Sequence, residues 1–213
     1  SFLIRNPKEC ERFKYVYGKN EKNGKKEIYI LKSNLQRQQG FYLSNCVDDI
    51  LEKIKQDTKF VDLQHFLTDP FLITGRKINI RIYILIVLNS PTKHIEDIPK
   101  CSWYIYQNGF LYYTAKPYLY TTQQEHVITS GYIDREVYEK NPMTLEELST
   151  YLGHSKYTVL FNNIVHQLAQ IKEAYTPKLI EENNLINGHK TALLGCDVAP
   201  DKYLNVKIME INK

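Results

Sequence analysis

Residues 69–88 read DPFLITGRKINIRIYILIVL, and this stretch decides the fold. From residue 78 to residue 84, isoleucine alternates with Asn79, Arg81 and Tyr83. A period of two predicts a β-strand over residues 78–88 with one apolar and one polar face. Beyond residue 84 the stretch is apolar on both faces, which is typical of a central strand. An arginine on such a sheet face is expected to form an ion pair.

Strands and helices mix around this stretch without strict alternation, which favours an α+β fold. The hydrophobic periodicities predict strands over residues 28–32, 41–43, 61–67, 192–198 and 205–211, and helices over residues 46–56, 144–152 and 158–175. Asn108-Gly109 predicts a tight hairpin between strands 103–107 and 110–114. Thr144 and Glu147 have the spacing of a capping box. Residues 18–26 and 90–100 are predicted to be exposed loops.

The bulk composition restricts the class of protein. The chain has 213 residues and a formal net charge of +4, which does not fit the basic stripe expected of a nucleic-acid binder. The longest apolar run, residues 82–88, is too short to span a bilayer. Four widely spaced cysteines without a CxxC pair argue against a zinc site and a disulfide framework. We therefore expect a cytoplasmic protein without nucleic-acid or membrane partners.

Oxygen ligands cluster in the last predicted hairpin. Glu210 and Asn212 share a strand face, and Asp197 lies across from Glu210 if the turn centres near residues 203 and 204. By spacing, these are either solvent-facing hairpin residues or a magnesium site. The apolar neighbours favour the metal, because a buried carboxylate pair needs neutralising and a metal does so more simply than a salt bridge. Lys32, at a strand end, is either a surface lysine or a phosphate contact.

Four motifs in this order resemble the tubulin–tyrosine ligase-like family of ATP-grasp amino-acid ligases. The resemblance covers residues 28–213. It rests on residues 69–73 followed by 75–83, residues 106–110 through 116–118, Gly195-Cys196-Asp197, and Glu210-Ile211-Asn212.

The resemblance implies an ATP-grasp fold, with two mostly antiparallel sheets and helices enclosing a nucleotide cleft. It implies a central lobe over residues 1–67, with the phosphate loop and adenine hinge, and a C-terminal lobe over residues 68–213, with the metal-binding hairpin. The N-terminal lobe of the family is expected to be short or missing.

Site residues are carried over from the family by position. Asp197, Glu210 and Asn212 would hold Mg²⁺, and Arg81, with Arg76, would act on the transferred phosphate or the acyl-phosphate intermediate. The phosphates of ATP would contact Lys32, and its adenine would lie along the hinge strand. The full set of expected ATP contacts is Lys32, Gln64, His65, Phe66, Leu67, Lys77 and Asn79.

The activity implied is MgATP-dependent addition of a free amino acid (Glu, Gly or Tyr) to tubulin or another acidic protein through an acyl-phosphate. Such a ligase would act in the cytoplasm on the cytoskeleton, on microtubules or in a cilium, with polyglutamylation as one form of the reaction.

Several residues depart from the family pattern: Gln36–Gln39 before Gly40, His65, Asn79, Tyr112 and Thr129. They keep two alternatives open. One is a catalytically inactive relative that serves as a binding or structural module. The other is an unrelated α+β protein with a chance resemblance.

Overall fold

Two antiparallel sheets with packed helices make up the protein. The computed structural model describes residues 2–22, 27–33, 40–89, 100–130, 133–181 and 188–212. The chain divides into one unit of Ser1–Thr68 with Leu119–Val127 and a second of Asp69–Tyr118 with Ile128–Lys213. This architecture confirms the predicted α+β class and is consistent with an ATP-grasp-like fold.

The first unit contains a four-stranded sheet in the order β1-β4-β2-β3. Its elements are β1 (Phe2–Leu3), α1 (Pro7–Lys22), β2 (Tyr29–Ser33), β3 (Phe41–Ser44), α2 (Val47–Gln56), β4 (Phe60–His65) and α3 (Gln124–Val127). Leu31 and Leu63 pair across β2 and β4 and are fully buried. The predicted hairpin of β2 and β3 is confirmed, whereas its tip, residues 34–39, lies outside the described residues.

The second unit contains a six-stranded sheet in which β10-β9-β6-β7-β8 are adjacent and β5 pairs with β6. The strands are β5 (Leu72–Ile73), β6 (Arg76–Asn89), β7 (Lys100–Thr114), β8 (Thr129–Ser130), β9 (His189–Pro200) and β10 (Val206–Asn212). The helices are α4 (Arg135–Lys140), α5 (Leu145–Leu152) and α6 (His154–Glu181).

The alternation in β6 separates the core of this unit from its polar face. Ile78, Ile80 and Ile82 are fully buried, and they pack in one cluster with leucines and isoleucines of α5 and α6. Asn79 and Arg81 point to the opposite face and are half-buried. The predicted central strand is therefore confirmed, and its polar face lies on the other side of the sheet from these two helices.

The predicted hairpin at Asn108-Gly109 is wrong, because β7 runs through it as one strand. The register against β6 shifts at this point, so residues 106–108 form an irregularity within the strand rather than a turn. The Asn108 side chain accepts hydrogen bonds from the backbone N–H groups of Gly109 and Leu145, at 2.9 and 3.1 Å. The Asn-Gly pair therefore fixes α5 to the strand.

One helix was not predicted from the sequence, and another is longer than the periodicity predicts. Helix α1 continues to Lys22, so residues 18–22 are helical and not part of a loop. Helix α6 spans 28 residues and contains Pro177, although proline removes one helical hydrogen bond. It begins directly after Gly153, whose φ of 76° ends α5. Of the other predicted loop, residues 90–99 lie outside the described residues and Lys100 begins β7.

The cap of α5 gives a first testable prediction. Thr144 Oγ1 accepts a hydrogen bond from the Glu147 N–H at 3.2 Å, and Glu147 Oε2 accepts one from the Met143 N–H at 2.6 Å. We expect Thr144→Ala to lower the free energy of unfolding by about 1 kcal/mol, measured by urea denaturation. The control is Thr150→Ala in the same helix, where the hydroxyl bonds only backward to the Glu146 carbonyl. An equal loss in both variants would contradict the capping role.

Candidate functional site

An ion pair between two strands lies at the centre of the polar face. Arg81 on β6 pairs in register with Asp197 on β9, so both side chains point to the same side. Arg81 Nη2 donates to Asp197 Oδ2 at 2.8 Å, and Arg81 Nε donates to Asp197 Oδ1. The two side chains are 24% and 14% exposed. The hydrogen bond to Asp197 raises the pKa of Arg81, against the opposing effect of burial.

This pair confirms that Arg81 forms an ion pair and corrects one step of the metal argument. The sequence favoured a metal over a salt bridge as the neutralising group, but in the structure a guanidinium neutralises Asp197. The reason is the register of two strands that are distant in sequence, which periodicity within either strand does not reveal.

A β-bulge brings Glu210 opposite Asp197. The hairpin starts with Val206 opposite Pro200, and the register then shifts by one residue between Ile208 and Glu210. Without that shift, Met209 would lie across from Asp197. The predicted Asp197–Glu210 pairing is confirmed, and it depends on the bulge.

Glu210 and Asn212 lie on the edge strand and are exposed. Asn212 Nδ2 donates to Glu210 Oε1 at 2.8 Å. The expectation that both strands of the hairpin are buried is therefore wrong for β10, and on β9 Leu193 is also 62% exposed. An edge strand has a neighbour on one side only, so its outward side chains remain in solvent. Asp197 is the shielded member of the set.

The donor chemistry of these three residues fits a hard divalent cation. Asp197 and Glu210 supply carboxylates and Asn212 an amide oxygen, on adjacent positions of one sheet face. Among the described residues there is no cluster of three or more His, Cys, Asp and Glu side chains that could hold a metal. The proposed site has only two such residues, Asp197 and Glu210, and its third ligand is the amide oxygen of Asn212. A cation, the Arg81 guanidinium, already lies against Asp197.

Gly195 and Tyr112 shape the space that Arg81 occupies. A Cβ at Gly195 would lie 3.1 Å from both Cδ and Nη1 of Arg81, so the arginine side chain fills the place of a residue-195 side chain. The Tyr112 ring centroid is 5.5 Å from Arg81 Cζ, within cation–π range. Sequence reasoning identified Gly195 only as part of a motif. The strand register shows why a glycine is needed here. Gly195 pairs with Tyr83 and lies two positions before Asp197, so it is next to the Arg81 side chain.

Cys196 points away from this face into the core. It is fully buried, and burial together with the charge of Asp197 raises the pKa of the Cys196 thiol to about 12. The thiol is therefore neutral at physiological pH and a poor metal ligand, because metals bind the thiolate.

Three other predicted site residues lie near the start of β6. Arg76 Nη1 donates to the carbonyl oxygens of Thr114, at 2.9 Å, and of Ala115, which ties β6 to the end of β7. Lys77 is 3% exposed. Asn79 Oδ1 is buried and has no hydrogen-bond partner among the described residues. Buried acceptors in folded proteins normally have a hydrogen-bond donor, so Asn79 Oδ1 could accept a hydrogen bond from a ligand on the polar face.

The predicted hinge residues belong to the first unit. Gln64 and His65 pair in register with Ile30 and Tyr29. The strand pairing continues beyond β4, since Phe66 N donates to the Ile28 carbonyl at 2.9 Å. Phe66 and Leu67 are buried. The predicted phosphate contact Lys32 is half-buried on β2, where it pairs with Phe41 of β3 and Asp62 of β4.

His65 is held by two neighbours where the family pattern has a basic residue. Its Nε2 lies 3.1 Å from Glu27 Oε2, and its ring meets the Tyr29 ring edge-on at 5.4 Å. Tyr29 also donates to Glu27 Oε2, at 3.1 Å. The acidic Glu27 is therefore shared between the histidine and the tyrosine hydroxyl.

The family model that describes the tubulin-tyrosine ligase family matches residues 4–213. The chain belongs to this family. No curated protein matches the chain. The family match removes the alternative of an unrelated α+β protein.

Membership of the tubulin-tyrosine ligase family indicates an ATP-dependent ligase that acts on proteins or amino acids. Ligases of this family generally use ATP and Mg²⁺. In the part of the chain that the structure describes, no helix is both long enough and apolar enough to cross a membrane.

Proposed function

We propose that this family member is a MgATP-dependent ligase that adds an amino acid (Glu, Gly or Tyr) to tubulin or another acidic protein. The observation that carries the proposal is the row formed by Arg81, Asp197 and Glu210 across three neighbouring strands. It combines one cation with two carboxylates on the polar face, which suits chemistry on a phosphorylated, anionic substrate.

In the proposed reaction, a substrate carboxylate attacks the γ-phosphorus of ATP and ADP leaves. The amine of the second substrate then attacks the acyl carbon, inorganic phosphate leaves, and an amide bond forms. Both steps develop negative charge on phosphate oxygens, which fixed cationic groups stabilise. Arg81 and Arg76 are the proposed catalytic residues.

For the bound nucleotide we propose two groups of residues. Asp197, Glu210 and Asn212 would hold Mg²⁺, which supplies positive charge to the phosphates when it is bound. The proposed ATP contacts are Lys32, Gln64, His65, Phe66, Leu67, Lys77 and Asn79. The lobes are proposed at residues 1–67 and 68–213, and the place of action on the cytoplasmic cytoskeleton, at microtubules or in a cilium.

The direct test is incorporation of labelled glutamate, glycine and tyrosine into purified tubulin by the full chain. ATP-dependent label in the tubulin band supports the proposal and names the amino acid. The control reaction contains AMP-PNP, whose γ-phosphoryl group is not transferred. Absence of label with all three amino acids, from a protein that binds MgATP, would contradict the ligase activity on tubulin.

One observation favours a second candidate, a non-catalytic module. Arg81 is held by Asp197 and by the ring of Tyr112. Tyr112 itself stands where the family pattern has an arginine. If that engagement is permanent, the Arg81 guanidinium is not available for the phosphate. The same incorporation assay separates the candidates, since a non-catalytic module transfers no label.

A further inference from the structure

We propose that Arg81 competes with the divalent cation for Asp197, so that metal binding and release of the guanidinium are one event. The inference rests on the proposed metal site. It concerns the order of events at that site: Arg81 occupies Asp197 first, and the metal displaces it.

The first support is that Arg81 engages both carboxylate oxygens of Asp197. Both of its carboxylate oxygens accept hydrogen bonds from Arg81. A bidentate, charge-assisted pair of this kind is among the strongest polar contacts in proteins. Because the Asp197 side chain is 14% exposed, the pair is also partly shielded from water. A metal that coordinates the lone pairs now bonded to Arg81 must therefore displace the guanidinium.

The second support is the space built for Arg81 in this position. Gly195 leaves room for the arginine side chain, and any Cβ there would approach it to 3.1 Å. The Tyr112 ring provides a cation–π contact from β7. These contacts hold Arg81 against Asp197 rather than in solvent.

The third support is the difference between the two carboxylates. Glu210 lies opposite Asp197 but is exposed, and it accepts a hydrogen bond from the neutral amide of Asn212. An incoming cation can therefore contact Glu210 from solvent before it reaches Asp197. A divalent charge then replaces the single charge of Arg81 beside two carboxylates, and the released guanidinium becomes available to a phosphate.

The test is titration of the full chain with Mn²⁺ alone, without nucleotide, followed by the electron paramagnetic resonance signal of free Mn²⁺. We expect Arg81→Gln to bind Mn²⁺ at least about tenfold more tightly than the unmodified chain. Gly195→Ala keeps the guanidinium but crowds it, and it should tighten binding by a smaller factor. Asp197→Asn should remove this binding, also in combination with Arg81→Gln. Glu173→Gln, an exposed carboxylate on α6, is the control that leaves the affinity unchanged.

The outcomes separate this inference from the metal site itself. If Arg81→Gln binds Mn²⁺ no more tightly than the unmodified chain, and Asp197→Asn abolishes binding in both, the competition is wrong and the metal site stands. If Arg81→Gln binds no Mn²⁺ at millimolar concentration, both are wrong.

Thermal melting separates competition from a structural role of Arg81. Mn²⁺ should raise the melting temperature of Arg81→Gln more than that of the unmodified chain, since at a fixed concentration a ligand that binds more tightly stabilises the folded state more. A purely structural arginine would lower the melting temperature without changing this metal-dependent increment. If Arg81→Gln does not fold, Gly195→Ala carries the same prediction.

Discussion

Asp197→Asn is expected to reduce ATP-dependent ligation by a factor of roughly 10² to 10³. Asp197 is the shielded member of the proposed metal ligands and the partner of Arg81, so its charge acts on both. Asparagine keeps the shape of the side chain but loses the charge that attracts a metal. The measurement is the rate of labelled amino-acid incorporation into tubulin at saturating MgATP.

Two controls make this result specific. Glu173→Gln makes the same charge change on α6 and should keep the full rate. Urea denaturation should show Asp197→Asn to be folded, with a loss in free energy of unfolding of about 1–3 kcal/mol, because it leaves Arg81 without its charged partner. A folded Asp197→Asn protein that retains the full rate would exclude Asp197 from the metal site.

Gly109→Ala is expected to have the largest effect on stability. A Cβ at Gly109 would lie 2.2 Å from the carbonyl oxygen of Arg81, a contact between two backbone segments that rotamer changes cannot relieve. Overpacking of this kind costs about 2–3 kcal/mol, because β6 and β7 must separate locally. The loss should appear as a lower urea midpoint of unfolding.

The matched control for this variant is Gly195→Ala on β9. The atoms nearest to its Cβ belong to the flexible side chain of Arg81, at 3.1 Å, and not to backbone. Gly195→Ala should therefore cost less free energy of unfolding in urea denaturation. Equal stability of Gly109→Ala and the unmodified chain would show that β7 does not approach β6 as described.

The local periodicity of the chain predicted most of the second sheet. Alternating isoleucines define β6, and the apolar runs of the last hairpin define β9 and β10, since burial on one face imposes a period of two. The hairpin predicted at Asn108-Gly109 was wrong, because this dipeptide is common in two-residue turns but does not by itself make the chain reverse. Here it lies in an irregularity of β7, and the need for glycine comes from the Arg81 carbonyl on another strand.

The sequence predicted that Asp197 and Glu210 lie opposite each other, but it did not predict which side chain pairs with Asp197. The hairpin brought Asp197 and Glu210 together as expected, because these residues are close in sequence. The partnership of Arg81 and Asp197 spans 116 positions and depends on which strands become neighbours. Gly195 as the space for an arginine depends on the same register. Contacts of this kind follow from topology, which local sequence patterns do not specify.

We propose that Asp197, Glu210 and Asn212 hold the metal of a MgATP site. Calorimetric titration of the full chain with MgATP, beside Glu210→Ala and Glu173→Gln, tests it most directly. We predict micromolar binding by the unmodified chain and by Glu173→Gln, and loss of that binding in Glu210→Ala. Because Glu210 is exposed, its replacement by alanine should leave the fold intact. Absence of MgATP binding by the folded, unmodified chain, or equal binding by Glu210→Ala, would contradict the claim.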